Sequence, residues 1–108
     1  MKQFILAAGM LSFFAGQALA ADIEAGKAKA TEVCASCHGV DGNSTSHDFP
    51  KLAGQGEDYI RNALNLYKSG ARKNPIMASM AGPLSKQDIE NVAAYFASQK
   101  GLIVKQDN

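Results

Sequence analysis

The chain has 108 residues with 11 basic and 10 acidic side chains, two histidines and two cysteines. That near-balance leaves no electrostatic footprint for nucleic acid and no strong overall steering charge, so a docking patch must come from local asymmetry or an apolar surface. The length suits one small domain, whose modest core calls for a staple or a cofactor.

In chain order, residues 1–20 read as a secretory signal peptide. Lys2 supplies a positive start, Phe4 to Phe14 is almost wholly apolar, and Ala18-Leu19-Ala20 is an A-x-A cleavage site. The apolar run is interrupted by Gly9, Ser12, Gly16 and Gln17 and falls short of the roughly 20 residues of a membrane span. The mature chain is expected to begin at Ala21, or at Asp22 if cleavage slips by one, with no stable membrane insertion. Removing residues 1–20 from 108 leaves 88, with 10 basic against 10 acidic side chains, in a single domain over residues 21–108.

A first helix is predicted over roughly Ile23 to Ser36, with Ala25, Ala28, Ala30 and Val33 as small or apolar positions and Gly26 as the point of closest approach to another helix. A long loop, Gly39 to Gly56, follows. Its glycines and Pro50 make it turn-rich, and a loop this long in a small domain is usually functional or packed on something. A second helix runs roughly from Glu57 to Lys68. Ile60, Leu64 and Tyr67 form its stripe, Glu57 and Asp58 suit its start, and Gly70 suits its end. Ser69 to Leu84 reads as a second loop holding Pro75, Met77, Met80, Gly82 and Pro83. The third helix is the clearest. Ser85 caps it with Asp88 three residues on, Ile89, Val92 and Phe96 share a stripe, and Gly101 is the expected stop. Nothing alternates with strand period, so the domain reads as all-α.

The chemistry concentrates in Cys34-Ala35-Ser36-Cys37-His38, which reads C-x-x-C-H, the attachment signature of a c-type haem. Two thiols that add across two vinyl groups on one porphyrin edge must sit about one helical turn apart. The next residue then falls under the iron, where imidazole is a good axial ligand. A zinc site lacks two further ligands, because His38 and His47 do not show H-x₃₋₅-H spacing. A redox dithiol needs a βαβ context that is missing. Both cysteines lie in this one motif, so neither has another partner for a long-range disulfide. Candidates for the sixth iron ligand are Met77, Met80 and His47, the last being poorly placed because it follows His38 by only nine residues.

With its stretches CASCHGVDGNS, FPKLAGQGEDYI and MASMAGPLSKQDIENVAAYFASQ in this order, the sequence resembles a class I cytochrome c. More narrowly it is similar to the small bacterial periplasmic group that includes cytochrome c-553 and each half of the di-haem cytochrome c4. The resemblance covers nearly all of residues 21–108 and implies three main helices and long loops around one covalent haem. It implies thioether bonds at Cys34 and Cys37, His38 as proximal ligand, and a Pro50 carbonyl that accepts the bond from the ligand imidazole. Met77 is implied as axial methionine by its distance from Pro83-Leu84-Ser85, with Met80 the alternative. Gly26 is expected to meet Val92 and Tyr95 where the first and last helices cross. The chain departs from the di-haem relatives in having a single C-x-x-C-H. Tyr59, Arg61, Tyr67, Arg72 and Asn74 are candidates for the propionates or the Met77 loop.

The expected function is one-electron transfer in the periplasm, not an enzymatic reaction, because iron held by both His38 and Met77 has no open coordination site. The resemblance implies a quinol-side complex or a dehydrogenase as donor and a terminal oxidase or reductase as acceptor. The alternatives are an open-site haem protein that binds small ligands or acts as a peroxidase, and a haem-carrying subunit of a larger complex.

Overall fold

A computed structural model of the chain describes residues 20–104. The expected signal peptide lies outside the described residues, apart from Ala20. Five helices follow in order: α1 (Ile23–Val33), α2 (Ala35–His38), α3 (Glu57–Ser69), α4 (Pro75–Ala81) and α5 (Lys86–Ser98). There is no strand among the described residues. No helix among them is long and apolar enough to cross a membrane. Packing runs α2–α1–α5–α3–α4, an open ring with α5 at its centre.

The first helix is shorter than its sequence pattern. Asp22 caps it by accepting the Ala25 N–H, and it ends at Val33. Cys34 still donates to Ala30 O at 2.8 Å, but its own carbonyl accepts both Cys37 N–H and His38 N–H. The chain therefore bends at Cys34 and starts the single turn α2. Gly26 and Ala30 are buried against α5. A Cβ on Gly26 would stand 2.0 Å from Asn91 O and 3.0 Å from Tyr95 Cβ. The crossing is thus centred on Asn91 and Tyr95, not on Val92 as expected. Val92 points into the core and is 1% exposed.

Ile60 and Leu64 are the buried stripe of α3, and Gly70 ends the helix in the left-handed region at φ 82°. In α5 the near capping box is complete: Ser85 Oγ accepts Asp88 N–H at 3.0 Å and the Asp88 carboxylate accepts Ser85 N–H at 2.9 Å. The helix stops at Gln99, two residues before the expected Gly101. Gly101 serves packing instead, because a Cβ there would lie 2.6 Å from Ala53 O. Phe96, Ile89 and Val92 are the largest fully buried side chains, each stabilising by roughly 1.5–3 kcal/mol on burial.

The main departure from the sequence pattern is α4, which occupies part of the expected second loop. Pro75 stands at its first position, where the missing N–H has no helical acceptor anyway, and Asn74 caps it. The Asn74 side chain accepts from both Ile76 N–H and Met77 N–H at 3.1 Å. At the other end Lys68 Nζ donates to Gly82 O at 2.9 Å and to Leu84 O. A lysine on α3 thereby satisfies carbonyls just beyond α4, where positive charge is favourable.

Candidate functional site

The two ends of the ring, α2 and α4, both border a cleft of about 430 Å³ lined mainly by apolar side chains. That volume lies within the roughly 300–1,000 Å³ of small-molecule and cofactor sites. Cys34, Cys37, His38, Pro50 and Met77 all line it, as does Met80. His47 is exposed and is not among the lining residues.

Cys34 and Cys37 are both free thiols, partly buried and one helical turn apart. Burial, and secondarily the neighbouring Cys37 sulfur, pushes the Cys34 thiol up to about 11. It is therefore a neutral thiol at ordinary pH.

His38 is 6% exposed, and its Nδ1 lies 2.8 Å from Pro50 O. A carbonyl oxygen only accepts, so Nδ1 carries the proton and donates it to this bond. With Nδ1 committed to this bond, Nε2 is the ring nitrogen left to bind a metal. The Phe49 ring meets the imidazole edge-on, with centroids 6.3 Å apart. Two contacts hold Pro50 in place. Gly42 O accepts Leu52 N–H at 2.8 Å and Ala53 N–H at 3.2 Å, tying the two limbs of the 39–56 loop together. Gly42 itself sits at φ 83°, and a Cβ there would lie 2.7 Å from the Phe96 ring. From α5, Tyr95 donates its hydroxyl proton to Val40 O at 2.8 Å, anchoring the chain two residues past His38.

On the α4 side, Met77 is half-buried and packs against the core, whereas Met80 is 43% exposed. Both belong to a helix, not to the irregular loop expected. The Asn74 cap bonds Met77 through its own N–H, so the position of this thioether is set by the start of α4. The other polar candidates divide. Tyr59, Tyr67, Arg72 and Asn74 line the cleft, with the Arg72 guanidinium 4.8 Å from the centroid of the Tyr67 ring. Arg61 does not line it. It is held by Asp58 at 2.6 Å and Glu90 at 2.8 Å, and these carboxylates raise its already high pKa. Asn74 as a cap was readable from the Asn-Pro dipeptide. The Lys68 and Tyr95 contacts had no local signal.

Two free thiols one turn apart, an imidazole whose Nε2 is left for a metal and a thioether at one apolar cleft are a donor set that fits covalent haem c. The Cytochrome c family model matches residues 23–100. The chain belongs to the cytochrome c family. Members of that family carry covalently bound haem c. Over 93 residues the chain is 50% identical to cytochrome c4 of Stutzerimonas stutzeri, covering 78% of this chain and 44% of that protein. It is 38% identical over 101 residues to cytochrome c-553 of Helicobacter pylori, covering 93% of this chain and 100% of the relative. Among solved structures, reduced recombinant cytochrome c4 from Pseudomonas stutzeri superposes with a TM-score of 0.71 at 49% identity, covering 82% of this chain and 50% of that one. The chain thus spans about half the length of the cytochrome c4 proteins it resembles, and the whole of the cytochrome c-553.

Proposed function

We propose that this cytochrome is a periplasmic one-electron carrier with one haem c, attached through Cys34 and Cys37 and ligated by His38 and Met77. The observation that carries the reading is the His38–Pro50 bond at 2.8 Å beside two free thiols in one cleft. When bound, the haem supplies one-electron exchange between its ferric and ferrous states.

The protein's part is to hold and shield. Pro50 O fixes the imidazole ring and its tautomer, and raises the basicity of Nε2. Asn74 and Lys68 tie down the segment that carries Met77. A thioether ligand favours the ferrous state and raises the potential. Held by both His38 and Met77, the haem iron would keep no open coordination site, so substrate chemistry at the metal would be disfavoured. The core contacts of Cys34 and Met77 suit a site that reorganises little on charge change. The single C-x-x-C-H supports one haem. The signal-peptide pattern of residues 1–20 supports export, with the mature chain beginning at Ala21. The donor is a quinol-side complex or a dehydrogenase and the acceptor a terminal oxidase or reductase.

The test is the absorption spectrum of the exported protein, ferric then ferrous, with its intact mass. The expected result is a c-type spectrum, a weak far-red methionine-to-iron band in the ferric form, and the mass of one haem. No haem from a host able to attach it overturns the reading. A c-type spectrum without the far-red band overturns the Met77 ligation and points to an open-site haem protein.

A further inference from the structure

The His38–Pro50 bond is only as well placed as the loop that carries Pro50, and that loop is gripped from outside the cleft. Three residues past Pro50, Ala53 is fully buried and bonded through both its backbone groups. Its N–H donates to Gly42 O at 3.2 Å, and its carbonyl accepts Leu102 N–H at 2.7 Å. Gly54 N–H donates to Phe96 O at 2.9 Å, so the end of α5 and the segment beyond it hold this limb together. Gly101 packs against both limbs of the loop. A Cβ there would stand 2.6 Å from Ala53 O and 2.7 Å from Asn43 Oδ1.

Asn43 completes the arrangement from the other limb. Its Nδ2 donates to Asp41 Oδ2 at 2.9 Å and to Lys100 O at 2.8 Å, which spends both amide protons. Its backbone N–H donates to Asp41 Oδ1 at 2.9 Å. The Asp41 carboxyl is held below its usual range first by the Asn43 side chain and then by the Asn43 N–H, so it is ionised and accepting at neutral pH. The Lys100 bond joins the loop to the segment after α5 across 57 positions of sequence. Asn43, Lys100, Gly101 and Leu102 do not line the cleft, so what they contribute to the site passes through Pro50.

We infer that Asn43 is a positioning residue for the proximal ligand: with residues 100–102 it straps the 39–56 loop so that the Pro50 carbonyl stays on His38 Nδ1, and the strap thereby biases the redox balance of the site. The inference rests on the reading of His38 as haem ligand. The physical link is basicity. A well-aligned bond from Nδ1 to a carbonyl makes the imidazole a stronger donor through Nε2, and a stronger donor favours ferric iron. A slack strap lets the Pro50 limb drift. Hydrogen bonds weaken steeply as their alignment degrades, so the balance then moves toward the ferrous form. Asn43→Ala exchanges one neutral side chain for another, which separates this effect from that of a charge acting through space.

The test uses the haem-loaded protein with Asn43→Ala, which cuts the strap's bond, and Gly101→Ala, which pushes the strap off both limbs. The reduction potential is read by spectroscopic redox titration, and exchange of the His38 Nδ1 proton by nuclear magnetic resonance of the ferrous form. Each variant is expected to shift the reduction equilibrium roughly two- to tenfold toward ferrous and to speed Nδ1 proton exchange at least about threefold, as partial loss of one hydrogen bond implies. The far-red ferric band is expected to persist, because the Met77 side is untouched. Asn43→Ser keeps one donor and is expected to fall between Asn43→Ala and wild type, so the pair at position 43 decides even if Gly101→Ala yields no holoprotein. Ser85→Ala, which destabilises α5 from its other end, is expected to leave the potential and the exchange rate at their wild-type values. A lower Tm for Asn43→Ala with both readings unchanged, a shift toward ferric, or an equal shift in Ser85→Ala overturns the inference. Failure of the ligand reading is separate: the haem would be absent, or the His38 ring protons would lack the upfield shifts of a haem ligand.

Discussion

The α1–α5 crossing offers the sharpest test of packing against propensity. Helix propensity alone says that Gly26→Ala stabilises an α-helix by about 0.5–1 kcal/mol. The structure says the opposite. The added Cβ would stand 2.0 Å from Asn91 O and 2.5 Å from Asn91 C, where contacts below 3.0 Å do not occur. The obstacle is backbone of α5, which cannot rotate aside as a side chain would. The helices must separate by about 1 Å, and a gap of that size forfeits a quarter to a half of each affected dispersion contact. Overpacking costs typically 1–3 kcal/mol, and a clash with backbone belongs at the upper end, about 3 kcal/mol. Subtracting the propensity gain leaves a net loss of about 2 kcal/mol, or roughly 8–16 °C in Tm for a domain of this size. Thermal unfolding of the haem-loaded protein by far-ultraviolet circular dichroism measures this. The crossing lies away from the cleft lining, so the haem spectrum is expected to stay as in wild type. A Tm equal to or above wild type would refute the reasoning.

Met77→Ala is expected to abolish the far-red ferric band, lower the reduction potential and admit external ligands such as imidazole, while Met80→Ala keeps the band; the reverse pattern reassigns the axial ligand to Met80. Cys37→Ser is expected to leave at most one thioether and little stable holoprotein, read by haem stain and intact mass. Ser85→Ala removes half of the α5 capping box and is expected to cost about 1 kcal/mol, or roughly 4–8 °C in Tm. The Asp88 carboxylate is held below its usual range chiefly by the Ser85 N–H. Its contribution is therefore full above the unfolded value of about 3.9 and is lost as pH falls through the lower folded value. Asp88→Asn is expected to be less stable than wild type at pH 7, with the difference shrinking in acid unfolding below about pH 4.

What the sequence by itself determined was whatever local chemistry encodes. The C-x-x-C-H spacing is one turn of helix, so it identifies the cofactor without reference to the rest of the chain. The Ser85–Asp88 box and the Ile60–Leu64–Tyr67 stripe are likewise contacts within one helix, and both helices stand close to where their patterns put them. The all-α class followed from the same periodicities.

Tertiary structure decided the rest, because it depends on residues far apart in sequence. The bond from His38 to Pro50 needs the long loop closed by Gly42 O on Leu52 and Ala53. The order of Asn74, Pro75 and two methionines reads as a loop until Lys68 of α3 and the core side of Met77 give a two-turn helix something to rest on. A helix of seven residues is unstable alone and forms only where packing and caps support it. Gly26 was recognised as a close-approach point, but which atom of α5 it meets is a matter of crossing geometry, and that atom is the Asn91 carbonyl.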